Sequence, residues 1–331
     1  MPVGVKFIIN LLIIYNRMFN FVVYTPPLKH NIGGIVVLHN LAKELLVLKV
    51  KTFLYTGYAP YKNDFCNNFI LKSKSQIIND ENTIVIYPEI IKGNPLNAKY
   101  VVRWLLCDVG IHTDKEIYKT WGKDDLVFHY STFNMKYNPE KITQLYTIWI
   151  NPNVKNTNPT EQRSGSCYMI RKGNQFHKTI KNMHPSDSIL LDKNSLEDNI
   201  KIFNEKEYFY CYDPYSFYDS IAALCGCIPI IYPLENSNKL DWLKTKGLFQ
   251  VYLNQRDNLS GIAYGNEPIE IEYAKNTLHL ASQEKQDALN FGLETIKKFV
   301  KLSTEYFDNK DLNKKYNTVE RVFYTDDLLN K

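Results

Sequence analysis

Between Tyr208 and Pro233 one short polar turn, Tyr212-Asp213-Pro214-Tyr215-Ser216, is set between two apolar stretches. A carboxylate and a hydroxyl are the natural acceptor and donor for a polyol, so Asp213 and Ser216 are candidates to hold sugar or ribose hydroxyls, with Tyr212 and Tyr215 beside them. Asp213 also reads as the acid of an Asp-Pro turn, and Ser216 as the cap of the helix that follows. Arg171-Lys172-Gly173 places two cations after another apolar stretch, where they suit a phosphate. The pair Gly33-Gly34 lets a backbone approach a phosphate or sugar closely just before a helix N-terminus; taken alone it is also a tight strand-to-helix turn. Glu89 follows Tyr87-Pro88 and, with Asn94, can orient a hydroxyl; a solvated loop acid is the other reading. Arg103 sits among apolar positions and either reaches the same region or forms a structural ion pair. His129 closes an apolar stretch before Tyr-Ser-Thr, whereas His39 shares a helical face with Ile35, Leu38 and Ala42 and reads as a packed core histidine. Glu89 and Asp213 are the candidates for the chemical step.

These residues are useful only if strand ends present them. Tyr208–Cys211 reads as an aromatic strand, Ser216 to Cys225 as a helix stopped by Gly226, and Ile228–Tyr232 as the next buried strand. That is a βαβ unit, which implies a parallel sheet whose carboxyl-end loops line a ligand crevice. A second such unit is predicted from a strand at Phe19–Tyr24, a helix over Gly34–Leu46 and a strand at Lys51–Tyr55. Thr83–Tyr87 and Leu126–His129 read as further strands. Ala98, Val101, Val102, Leu105 and Leu106 have the spacing of a helix face. Residues 151–166, rich in proline and asparagine, read as an interdomain connection. Beyond it, Cys167–Ile170 and Ser188–Leu191 read as strands, and Leu240–Lys246, Glu270–Ser282 and Gln283–Phe307 as helices. Residues 308–331 are charged and expected to be peripheral.

Asp213-Pro-Tyr-Ser followed by Ala222-Ala-Leu-Cys-Gly-Cys-Ile-Pro-Ile-Ile resembles the carboxyl-domain donor loop of GT-B glycosyltransferases. Asn31-Ile-Gly-Gly-Ile35 followed by Leu38-His-Asn-Leu-Ala-Lys-Glu-Leu45 is similar to the amino-domain glycine loop and first helix of the same enzymes. Tyr87-Pro-Glu-Ile-Ile-Lys-Gly-Asn-Pro-Leu96, Val101-Val-Arg-Trp-Leu-Leu106 and Gly261-Ile-Ala-Tyr-Gly265 look like a polysaccharide-biosynthesis branch, and the resemblance spans roughly residues 18 to 282. It implies an α/β fold of two facing Rossmann-like domains with parallel sheets. Their expected bounds are 1–155 on the acceptor side and 156–285 on the donor side, with 286–331 a helix and tail returning to the first domain. It further implies sugar transfer from a nucleotide-diphosphate donor, UDP- or GDP-linked, to a glycan or glycolipid, with no metal or other cofactor. Gly33, Gly34, Arg171, Lys172, Tyr212, Tyr215 and Ser216 would hold the donor. Asn94, Arg103 and, with no motif behind it, His129 are further candidates to serve an acceptor or support the site. One departure stands out: aligned on Gly226, the first acid of the common Glu-x7-Glu motif falls on Asp213 but the second on Ile221. Asp219, roughly 200° round the helix from that position, is a poor substitute. A nucleotide-sugar epimerase and a binding protein without transfer are the alternatives on this architecture.

Composition agrees with an ordinary globular chain: 331 residues suit two domains, and 44% hydrophobic with 23% charged residues excludes a disordered one. A net charge of +5 suits an anionic small ligand rather than nucleic acid. The six cysteines show no paired framework, which favours a reducing, cytoplasmic setting. Cys225-Gly-Cys227 lacks a second ligand pair at zinc spacing, and its glycine reads as a helix stop. Val3–Ile14 is apolar but short of the roughly twenty residues that span a bilayer, so residues 1–17 are expected at most to associate peripherally with a membrane.

Overall fold

The computed structural model describes residues 18–30, 32–57, 73–131, 142–159, 162–235, 237–246, 257–308 and 316–323. Residues 1–17, for which membrane association was expected, lie outside these. The chain divides into two compact units, one holding the residues up to Tyr130, the segment ending at Thr147 and everything from Gly292, the other holding Ile148–Phe291.

In the first unit, β1 (Asn20–Tyr24), α1 (Gly33–Val47), β2 (Thr52–Tyr55), α2 (Lys74–Ile78), β3 (Thr83–Pro88), β4 (Tyr100–Leu105), β5 (Leu126–His129) and β6 (Thr143–Gln144) follow in chain order. The strands form a six-stranded sheet, β2-β1-β3-β4-β5-β6, with every pairing parallel. The chain runs outward from β1 to β2, then crosses back to β3 on the other side. The gap between the carboxyl ends of β1 and β3 is therefore a topological switch point.

In the second unit, β7 (Ser166–Met169), α3 (Gly173–Phe176), β8 (Ile189–Leu190), α4 (Leu196–Glu205), β9 (Tyr208–Cys211), α5 (Tyr218–Leu224), β10 (Ile228–Ile231), α6 (Lys239–Lys244), β11 (Ala263–Tyr264) and α7 (Pro268–Thr277) build a parallel sheet ordered β11-β10-β9-β7-β8. Here the order reverses between β7 and β9. Two parallel sheets with helices, followed by the long helix α8 (Ala281–Asp308) and the short α9 (Val319–Phe323), make an α/β architecture. From Gly292 onward α8 belongs to the first unit, where Phe299 packs its ring against Phe21 and Phe128 at 5.5 and 4.9 Å.

Three expectations are corrected. The segment read as a helix face is strand β4, whose six residues are all buried. A central parallel strand covered on both faces is a continuous apolar run, and apolar spacing alone does not separate that from a buried helix. The described residues of the polar stretch read as a connection, 151–159 and 162–166, pack as part of the second unit. Asn204 on α4 accepts from Thr157 N and Oγ1 at 2.7 and 2.9 Å, and Arg163 donates to Asn156 Oδ1, Phe203 O and Cys225 O within 2.8 Å. The tail is not peripheral over residues 316–323, because Thr318 bridges Leu126 in antiparallel fashion and Val319 is buried against Leu105, Trp121 and Val127. Among the described residues no helix is long and apolar enough to cross a membrane.

Candidate functional site

Both switch points are lined by residues that the sequence singles out. In the first unit, β1 leads through a short loop to Gly33-Gly34, the first residues of α1. The N-cap Ile32 offers no side chain to the helix amides, and the first turn carries no acid. Neither glycine has a positive φ; a Cβ at Gly33 would meet nothing within 4 Å, and one at Gly34 only Leu106 Cδ1 at an ordinary 3.6 Å. Packing within the protein therefore does not require glycine at either position.

Across the switch point, Glu89 follows β3 directly and is 5% exposed. Its Oε2 accepts the Leu106 amide at 2.9 Å, so the carboxyl bridges the ends of β3 and β4. Burial, opposed by these main-chain hydrogen bonds, pushes its pKa up to about 7. It can thus take or give a proton near neutrality.

The loop carrying Glu89 is fastened by Arg103 in β4. This side chain is fully buried, donates to Asp125 Oδ2 at 2.8 Å, to Ile91 O at 3.2 Å and to Gly93 O at 2.5 Å, and lies between the rings of Tyr87 and Trp121 at 4.9 and 5.0 Å. The ion-pair reading of Arg103 is the one the structure shows, with Asp125 as its partner. Asn94, expected near an acceptor, commits its amide to the loop: Oδ1 accepts from Tyr87 Oη and Ala98 N, and Nδ2 donates to Ala98 O. His129 ends β5 beside Leu105 of β4 and is buried. His39 is also buried, with Nε2 3.0 Å from Pro26 O, and its pKa is lowered mainly by desolvation.

In the second unit the loops after β7 and β9 meet. Arg171 adopts φ 42°, a left-handed conformation that ordinary residues rarely hold. The turn is fixed by Asp192, whose two oxygens accept the Ile170 and Arg171 amides at 2.9 and 3.0 Å. Asp192 was not among the expected residues; its only signal is an acid just past a predicted strand. Gly173 lies so close to the other loop that a Cβ there would stand 2.5 Å from Tyr212 O. The loop carrying the exposed Arg171 and Lys172 is thereby packed against the loop carrying Asp213.

Asp213 is 5% exposed, and its Oδ1 accepts the Tyr215 amide at 3.3 Å. Burial raises its pKa, while the positive charges of Lys246, Arg171 and Lys172 pull the other way. Arg171 also lies over the Tyr218 ring at 5.2 Å, and Tyr215 meets Phe176 edge to face at 4.7 Å. The cap of α5 is Phe217, one residue later than expected; Ser216 still accepts the Tyr218 amide through its hydroxyl at 3.2 Å. Tyr212 is fully buried, and its hydroxyl meets the Met183 amide and His184 Nδ1, both at 2.7 Å. Its side chain supports the neighbouring segment 183–184. Ile221 is buried, as an apolar helix face requires. Lys246 and Asp219 form a buried ion pair at 2.6 Å beneath this loop, a partnership that a separation of 27 residues concealed. Among the described residues, no three His, Cys, Asp or Glu stand together as a metal site.

No family model and no curated protein matches this chain. Among solved structures it is similar to a glycosyltransferase from Rickettsia africae ESF-5, over 89% of this chain and 100% of that one, with 11% sequence identity and a TM-score of 0.51. It is also similar to an alpha-glucosyltransferase in complex with UDP, over 86% of this chain and 99% of that one, with 11% identity and a TM-score of 0.41. The first likeness shows a shared fold.

Proposed function

We propose that the protein is a glycosyltransferase that moves a sugar from a nucleoside-diphosphate donor to a hydroxyl of a glycan or glycolipid, without a metal. The observation that carries this reading is the second switch point. There, two exposed cations on the loop after β7 lie beside the buried carboxylate of Asp213 on the loop after β9. In parallel α/β sheets this is the place where ligands bind. Phosphate oxygens need the cations, and sugar or ribose hydroxyls need an acceptor such as Asp213. The fold shared with the Rickettsia africae glycosyltransferase supports the same class.

In this reaction the bond between the anomeric carbon and the phosphate oxygen breaks, and the acceptor's hydroxyl oxygen bonds to that carbon. The diphosphate leaves with the electron pair. Arg171 and Lys172 stabilise the charge that builds on it, and the acceptor's proton passes to a general base. Within this reading UDP- and GDP-sugars are the donors to test first.

Titration calorimetry with UDP and GDP tests the donor site. Lys172→Ala is expected to weaken binding roughly tenfold by removing a charged phosphate partner. An unchanged affinity would remove Lys172 from the site. A second reading, binding without transfer, rests on buried Ile221 at the position where the resemblance expects an acid. Release of free sugar or glycosylated product from a bound donor would exclude it.

A further inference from the structure

The main chain of the loop after β9 is held from below by one short segment. Trp242 on α6 donates its indole N–H to Pro214 O at 2.8 Å. Lys246, just past the helix, donates to Ser216 O at 3.1 Å and to Asp219 Oδ2 at 2.6 Å. Trp242 is fully buried, Lys246 is 9% exposed, and the ammonium lies 5.2 Å from the centre of the Trp242 ring. Two carbonyls that bracket Tyr215 are thus tied to a single support.

The support is itself anchored to the sheet. Asn238 caps α6 by accepting the Asp241 amide. Lys239 pairs with Glu270 at 2.6 Å, and Glu270 accepts the Tyr264 amide in β11 at 3.2 Å. A line of polar contacts therefore runs from β11 through Glu270, Lys239 and α6 to the carbonyls of Pro214 and Ser216.

Stability alone does not call for a buried lysine here. Taking an ammonium and a carboxylate out of water costs several kcal/mol per ion, and apolar replacements of buried ion pairs are often neutral or stabilising. What the ion pair supplies is direction: the ammonium must point at both Asp219 and Ser216 O, which fixes the loop in one place.

We propose that Trp242 and Lys246 are positioning residues that hold residues 214–216, and with them the Asp213 carboxylate, in the geometry that accepts the nucleotide. This rests on the donor-site reading above. Neither side chain need touch the ligand. They act by keeping Asp213 fixed beside Arg171 and Lys172, so that binding does not have to order the loop.

Three variants test it by calorimetry with UDP and GDP, in the cold and well below each variant's Tm. Trp242→Phe removes only the indole N–H and keeps the ring packing. Lys246→Met combined with Asp219→Asn removes the ion pair without leaving a lone buried charge. Each is expected to weaken nucleotide binding about fivefold, the worth of one hydrogen bond of roughly 1 kcal/mol. A purely structural role would lower Tm and leave the cold affinity at the wild-type value. Lys172→Ala is the third variant and reports on the site itself. If it weakens binding while the other two bind like wild type, the positioning role is overturned and the donor site stands. If all three bind like wild type, the donor-site reading fails and this inference with it.

Discussion

At the scale of single residues, the most telling group is Glu89, a buried carboxyl whose pKa is pushed up to about 7 by desolvation. The shift has a sign. A carboxyl that holds its proton more tightly in the folded state stabilises the protein below its unfolded pKa, near 4.5, and that contribution is lost as pH rises to about 7. Across that window the loss amounts to about 3 kcal/mol. Glu89→Gln is therefore expected to be more stable than wild type at alkaline pH and no more stable in mild acid, as denaturant melts at the two pH values would show. A second residue-scale prediction concerns Gly33. A glycine in a helix costs up to about 1 kcal/mol relative to alanine, and nothing lies within 4 Å of a Cβ there. Gly33→Ala is expected to raise Tm slightly and lower kcat/KM. A gain in stability with full activity would make Gly33 neutral to function.

At the scale of elements, Gly226 and Gly173 are among the glycines demanded by close approach. Gly226 follows α5 with φ +87°, and a Cβ on it would lie 2.6 Å from Asn156 Nδ2 and 2.7 Å from an Arg163 guanidinium nitrogen. It stops the helix and also lets the side chains of Asn156 and Arg163 lie across the turn. Gly173 faces the backbone oxygen of Tyr212, which cannot swing away as a side chain can. Gly226→Ala is expected to cost about 1–2 kcal/mol from its backbone conformation alone, and Gly173→Ala to cost at least as much. Gly173→Ala should also weaken nucleotide binding, because it pushes Arg171 and Lys172 away from Asp213. Melting curves and calorimetry on the two variants separate these effects: Gly226→Ala is expected to change Tm with little change in affinity.

At the scale of the whole molecule, the chain repeats one construction twice: a parallel sheet whose strand order reverses at one gap, with the candidate residues on the loops beside it. A net charge of +5 is modest, so under the donor-site proposal attraction of an anionic nucleotide comes from the exposed Arg171 and Lys172 more than from the overall field. A nucleotide that binds the folded chain and not the unfolded one raises stability by about 2.7 kcal/mol at a hundred times its Kd. The rise in Tm with UDP or GDP is expected to be the same with Mg²⁺ and with EDTA. A rise that disappears in EDTA would assign a metal to the donor site.

The sequence by itself determined the parts of this protein that local rules govern. The apolar runs of β1, β3, β5, β9 and β10, the helical spacing of α1 and α8, and Gly226 as a helix stop are properties of a few adjacent residues, as is the placing of Asp213, Lys172 and Glu89 after strands. Even so, β4 was legible only as an apolar stretch, since a strand buried on both faces loses the alternation that would identify it. Only the tertiary structure decided which of those loops meet. Strand order set the loops after β7 and β9 side by side, and distant partners were joined that no spacing reveals: Arg103 with Asp125, Arg171 and Ile170 with Asp192, Lys246 with Asp219 and Ser216. Whether Asp213 is a turn residue or a buried carboxylate among cations depends on what the rest of the chain packs around it. That packing sets both its solvation and the charges it feels.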